Sequence, residues 1–174
     1  MGTRGLTIVR KDGKNVIAQY GQWDHYPEGQ GTTILNFISN PDNLNRLESN
    51  LSLCRFIDDN EMAKLMEGYE TNNGFWTFEE ADRFASVHPQ LSRDMGGKIL
   101  EFVANATDEV MLRDDADFAK DTLFCEGVYR IDFDTREFWV QYGTITIFDL
   151  DNLPDHETFI KTLYAAIDEQ PMFL

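Results

Sequence analysis

Residues 6–20, LTIVRKDGKNVIAQY, decide the fold class of this chain. LTIVR and NVIAQY are short and rich in β-branched and aromatic side chains, which predicts two strands. Between them lies KDGK, whose Asp12-Gly13 pair is a strong signal for a tight hairpin turn. In the second strand Val16, Ala18 and Tyr20 share one face, while Ile17 and Gln19 point to the other. A second hairpin is written late in the chain. In VYRIDF (128–133) Tyr129, Ile131 and Phe133 alternate with Arg130 and Asp132. In EFWVQY (137–142) Phe138, Val140 and Tyr142 alternate with Trp139 and Gln141, and DTR makes the turn. TITIF (144–148) adds a further strand.

Between the hairpins the pattern changes to helix. TTILNFISN puts Ile34, Phe37 and Ile38 on one side, and Asn40-Pro41 restarts a helix with Asn40 as its cap. Residues 58–69 begin acidic, as a helix N-terminus favours. Thr77 and Glu80 form a capping box for a helix to about Val87, which His88-Pro89 ends. Ile99, Phe102, Val103 and Ala106 make an apolar stripe. Pro154 opens a last helix with Phe159, Leu163, Ala166 and Ile167 on its buried side. Two hairpins enclosing a helical middle predict an α+β fold: one domain, 1–174, with an antiparallel sheet packed against helices. No internal repeat, linker or low-complexity segment divides it.

At 174 residues, with 42% hydrophobic residues and 13 Phe, the chain can bury a real core. No apolar run approaches a membrane span, and the N-terminus lacks the pattern of a signal peptide. MGTRGL begins like a myristoylation site but has Leu6 where Ser or Thr is required. Cys54 and Cys125 form no C-x-x-C, so a reduced, cytoplasmic setting is expected. The net charge of −16 is unevenly spread. Residues 1–30 carry four basic and three acidic side chains; the last 74 residues carry 5 and 17. Such a surface repels phosphates, which disfavours direct nucleic acid binding. The acidity serves solubility, or else mimicry of nucleic acid toward a basic groove on a partner.

Several tempting motifs fail on spacing. IDFDTRE lacks the D-x-D-x-T arrangement of aspartate-nucleophile phosphatases, since Thr135 directly follows Asp134. DLDNL (149–153) starts like a calcium loop but has neither the sixth-position Gly nor the closing Glu. His25, His88 and His156 are isolated from other ligand types at metal spacing, so no metal is expected. No nucleophile elbow, metalloprotease helix or phosphate-binding P-loop is present. Loss of Met1 exposes Gly2, which cannot act as an N-terminal nucleophile. No catalytic residue or cofactor is expected from these motifs.

The densest cluster of candidate residues is YGQWDHYPEGQG (20–31). It reads in two ways. Structurally, Tyr20 ends a strand, Trp23 and Tyr26 cover the core edge, and Pro27, Gly29 and Gly31 shape the turn into a helix. Functionally, Tyr20, Trp23 and Tyr26 offer faces for a nucleobase, each stack being worth ~1–3 kcal/mol. Gln22, Asp24 and Gln30 offer donors and acceptors for base edges or ribose hydroxyls. Backbone N–H groups of residues 29–31 face an anion at the start of the helix near Thr32. Arg4 and Arg10, on the neighbouring strand, are expected within reach of the same end of the sheet. Together these describe a small nucleotide pocket formed by Arg4, Tyr20, Gln22, Trp23, Asp24, Tyr26 and Gln30. Asp24 and His25 are adjacent, so in an extended segment they point apart and do not cooperate as an acid–base pair.

TRGLTIV followed by YGQWDHYPEGQG resembles a family of small phage and prophage proteins of unassigned activity, marked by a Y-G-Q-W-D-x-Y-P-E-G-Q-G signature after a short hairpin. The likeness covers roughly the first forty residues; the remainder agrees in outline through its late hairpin and final helix. It implies a host-cell cytoplasmic setting and a counter-defence role, including sequestration of nucleotide immune signals. The leading expectation is a non-enzymatic protein that captures a small nucleotide-derived signal. Its rivals are an acidic inhibitor that binds a host protein through residues 101–174, and a hydrolase of nucleotide signals or amides with Asp24 as general base. Self-association stays open, and no membrane partner is expected.

Overall fold

The computed structural model describes residues 2–169 and has an α+β architecture, as the two hairpins predict. Strands β1 (Arg4–Lys11), β2 (Lys14–Gly21), β7 (Cys125–Asp132), β8 (Glu137–Tyr142) and β9 (Thr144–Asp149) form one sheet in the order β2-β1-β7-β8-β9. Asp12 and Gly13 both take positive φ, 55° and 76°, the geometry that a twisted two-residue hairpin requires. The sheet departs from the expected antiparallel pattern at one seam. There β1 and β7 run parallel, with Leu6 beside Val128 and Ile8 beside Arg130. A parallel neighbour needs a long crossover, and the whole helical middle of the chain provides it.

Strand alternation divides the sheet into two faces. Val9, Ile17, Tyr129, Ile131, Phe138 and Val140 point to one face and are almost completely buried. Helices α1 (Thr32–Ile38), α2 (Pro41–Asn50), α5 (Ile99–Ala104) and α6 (His156–Asp168) supply the opposing layer through Ile34, Leu35, Leu47, Ile99, Val103, Phe159 and Leu163. The other face is covered only over β2, β1 and β7. There Leu6, Ile8 and Ala18 pack with Phe56 and Phe118.

The helix signals perform as their chemistry predicts, with three differences. Asn40 caps α2 by accepting from the Asp42 amide. Helix α3 (Asp59–Met66) takes Asp58 as its cap. Thr77 caps α4 (Phe78–Val87), but Glu80 does not complete the box. Its carboxylate instead accepts from the Glu70 amide and pairs with Arg83. The stripe at 99–106 yields a helix that ends at Ala104. Pro154 lies outside the last helix, where Asp155 is the cap and accepts from Thr158 N–H at 2.7 Å. Two further pairings lie in the middle of the chain: β3 (Cys54–Phe56) with β6 (Val110–Leu112), and the small hairpin β4 (Thr71–Asn72) with β5 (Phe75–Trp76).

Candidate functional site

The aromatic stretch leaves β2 at the end of the sheet opposite the Asp12-Gly13 turn. Gly21, Gly5 and Gly127 stand side by side there on three adjacent strands. Their missing side chains leave a shallow bed, and the ring of His25 lies in it, completely buried. A methyl group on Gly5 would sit 2.5 Å from His25 Cδ2, so the bed admits only glycine. His25 Nδ1–H donates to the Trp23 carbonyl at 3.0 Å. In the neutral ring this leaves Nε2 bare, and it is buried without a partner. Burial lowers the imidazole pKa from its ordinary value, against smaller opposing effects of the Trp23 and Thr3 hydrogen bonds and of Asp24. The buried Tyr129 hydroxyl donates to the His25 carbonyl at 2.8 Å.

Around this anchor five of the seven predicted ligand residues divide into two groups, and Asp24 and Tyr26 stand apart from both. Arg4, Tyr20 and Gln22 lie by strand alternation on the partly covered face. Tyr20 meets Phe118 edge-on at 5.0 Å and donates its hydroxyl to Gln22 Oε1 at 2.6 Å. The Arg4 guanidinium rests over the Phe124 ring at 5.4 Å. Trp23 and Gln30 face the 92–98 segment instead. Trp23 Nε1–H donates to Asp94 at 2.7 Å. Gln30 accepts from Gly97 N–H at 2.8 Å and donates to the Trp23 carbonyl at 3.3 Å. Asp24 stands exposed at the apex with φ 61°, its carbonyl accepting from Gln30 N–H at 2.6 Å. Tyr26 is half-buried just before a short π-helical turn, Pro27–Gly31. Arg10 does not belong to this end of the sheet. The antiparallel hairpin carries it to the Asp12-Gly13 turn, where it bonds Asn15, the Gly13 carbonyl and Asp132. The six residue steps from Arg4 to Arg10 span roughly 20 Å of strand.

A cleft opens beside this turn, against β2. It encloses about 240 Å³ and is lined by Gln19, Tyr20, Met62, Gln90, Arg93, Arg113 and Asp115 among others. Through Met62, Leu91, Ser92 and Arg93 it continues into a groove of about 490 Å³ between α3 and α4, walled by Met66, Trp76 and Phe78. Comparison with family models, curated proteins and solved structures returns no match. The cleft is therefore read from its own chemistry. Arg113 pairs with the exposed carboxylate of Asp59 at 2.7 Å. Arg93 is exposed and has no carboxylate partner among the described residues. Gln19 reaches the Gln90 carbonyl at 3.0 Å, and Asp115 accepts from Tyr20 N–H at 3.1 Å. Burial raises the Asp115 carboxyl above its ordinary value.

Sequence reasoning found Tyr20 but not Arg93 or Arg113, which lie far along the chain in segments without a motif. The remaining reactive side chains hold structural positions. Burial pushes the thiols of Cys54 and Cys125 up to about 11, so both are protonated near neutrality. His88 packs against Phe84, and His156 bonds the Thr32 hydroxyl at 3.0 Å. No helix among the described residues is long and apolar enough to cross a membrane.

Proposed function

We propose that the protein captures a small, anionic, nucleotide-derived ligand without turning it over, in the cleft between Tyr20 and Arg93. The observation that carries this reading is the pair Arg93 and Arg113 on the wall of a cleft in a chain of net charge −16. Asp59 neutralises Arg113 and Asp115 shares the wall, so Arg93 is the cation left to recruit an anion that the rest of the surface repels. Guanidinium groups recognise phosphate by two parallel N–H bonds, and Arg93 has no internal carboxylate to give up. Met62, Leu91 and the Trp76 groove beyond supply apolar surface for a base or sugar. The resemblance of the first forty residues to phage proteins adds the setting, in which sequestering a nucleotide immune signal serves counter-defence.

The test is native mass spectrometry of the purified chain, joined to thermal unfolding with a panel of cyclic and ADP-ribose-type nucleotides. A ligand at a hundred times its Kd stabilises the fold by about 2.7 kcal/mol. For a chain of this size that raises Tm by roughly 5–11 °C. Arg93→Glu should abolish the shift while keeping the ligand-free Tm. A shift equal in Arg93→Glu and wild type overturns the site, and recovery of chemically altered nucleotide overturns capture without turnover. A second reading, an acidic inhibitor of a protein, is favoured by Leu123 and Phe124, which are 77% and 45% exposed beside Asp121 and Glu126. That complex should weaken steeply with salt and survive Arg93→Glu.

A further inference from the structure

The two edges of the main sheet are finished differently. At the β2 edge the chain itself covers the backbone. Asp115 N–H donates to the Ala18 carbonyl at 3.0 Å, Asp115 accepts from Tyr20 N–H, and Gln22 N–H donates to the Arg93 carbonyl at 2.9 Å. At the β9 edge, among the described residues, Thr144 to Phe148 make backbone bonds only to β8. An exposed edge strand ordinarily carries a charge, a proline or a bulge that blocks further pairing. The run Thr-Ile-Thr-Ile-Phe has none of these, and its pairing with β8 is unbroken. The uncovered face beside it is apolar. Ile145 and Ile147 are 51% and 48% exposed, next to Trp139, whose ring carries the Arg130 guanidinium at 4.1 Å.

We propose that β9 pairs antiparallel with β9 of a second copy across a two-fold axis at Thr146, joining two five-stranded sheets into one. This register sets Ile145 of each copy against Ile147 of the other on the open face, and Thr144 against Phe148 on the helix-covered face. Shifting the axis to residue 145 places Ile147 against Gly143, and shifting it to 147 brings Asp149 against Ile145. Only the register centred on Thr146 keeps both Ile pairs and leaves Asp149 at the strand end. A second copy fits this edge better than a foreign strand, because the edge complements itself and its two-fold closes the assembly. The remaining outer edges are both β2, already covered, so growth stops at two. Charge permits the pairing. The two Asp149 carboxylates fall six residues apart along the strand, roughly 20 Å. That exceeds the screening length of about 8 Å at physiological salt.

Sedimentation of the full chain, across concentration and ionic strength, tests this. The expected result is a species of twice the 20.1 kDa chain mass that becomes more populated as salt screens the two −16 charges. Ile147→Lys and Ile145→Lys should each return the mass to that of one chain that keeps the wild-type circular dichroism spectrum, while Leu123→Lys, elsewhere on the surface, should not change the mass. A single-chain mass at every condition overturns the proposal. So does a dimer that survives both β9 substitutions, or one that salt dissociates.

Discussion

Tyr129→Phe tests whether the aromatic turn is anchored from below. The Tyr129 ring is fully buried, and its hydroxyl is the donor that the structure provides to the His25 carbonyl. Burial raises the Tyr129 pKa far above its ordinary value, so the group remains a donor throughout the physiological range. Phe keeps the ring and its packing, which removes any cavity contribution from the comparison. What remains is a buried carbonyl without its donor, a loss of about 1–3 kcal/mol. At about 2–4 °C per kcal/mol for a chain of this length, Tm should fall by roughly 2–12 °C. Tyr164→Phe is the matched control. Its hydroxyl donates to Glu28 at 2.7 Å on the surface, where water replaces it, so the cost should stay within about 0.5 kcal/mol. Calorimetry of the two variants gives the difference, and amide exchange at His25 and Gln30 locates it. Equal Tm values for the two, or unchanged exchange across the turn in Tyr129→Phe, would refute the anchoring role.

Acid should loosen the same anchor. The folded-state pKa of His25 is lowered, so the unfolded chain binds a proton that the native chain resists, and stability should fall as pH drops below about 6.5. Asp115 acts in the opposite sense at lower pH, since its raised carboxyl favours the protonated native state. Urea midpoints between about pH 7.5 and 5.5 check this; a flat profile, or one that His25→Phe leaves unaltered, contradicts it. The two thiols should be slow to react. With pKa values of about 11, Cys54 and Cys125 hold roughly a thousandth of their population as thiolate at about pH 8, against about a quarter for a free cysteine. Native alkylation with iodoacetamide, followed by mass, should run about a hundredfold slower than in the unfolded chain, and equal rates would contradict the burial.

The fold was legible where short-range chemistry dictates it. Asp12-Gly13 and residues 134–136 set two hairpins, and alternation assigned Tyr129, Ile131, Phe138 and Val140 to the core face before any tertiary information. The parallel seam between β1 and β7 was not legible, because both strands alternate identically whichever way a neighbour runs. The β4–β5 hairpin carried a signal in Asn73-Gly74, whose positive φ values are 54° and 82°. Its strands have two residues each, too short for periodicity to register. His25 shows the limit best. Read along the chain it is one polar residue among aromatics; its burial depends on Gly5 and Gly127 arriving from 20 residues upstream and 102 downstream. An isolated glycine inside a strand pattern marks a close approach, and three such glycines were the available clue.

The aromatic stretch has a mechanical role that also bears on the proposed binding. Three bonds run from it to the 93–97 segment: Gln22 N–H to the Arg93 carbonyl, Trp23 Nε1–H to the Asp94 carboxylate, and Gly97 N–H to Gln30 Oε1. They hold the Arg93 carbonyl and two of the residues that follow it, and so fix the backbone from which its guanidinium projects. The Trp23 indole N–H and the Gln30 amide are engaged within the chain, as is Gln22 Oε1 by the Tyr20 hydroxyl, so in the proposed capture their part is to hold the cation in place. Long cationic side chains lose rotamer entropy on binding, and a rigid base limits that loss to the side chain itself. The stretch YGQWDHYPEGQG thus builds a support that positions a residue some seventy places further on. Rings, glycines and the buried imidazole then belong to one device: a plug seated in the end of the sheet, with one rim turned toward the cleft.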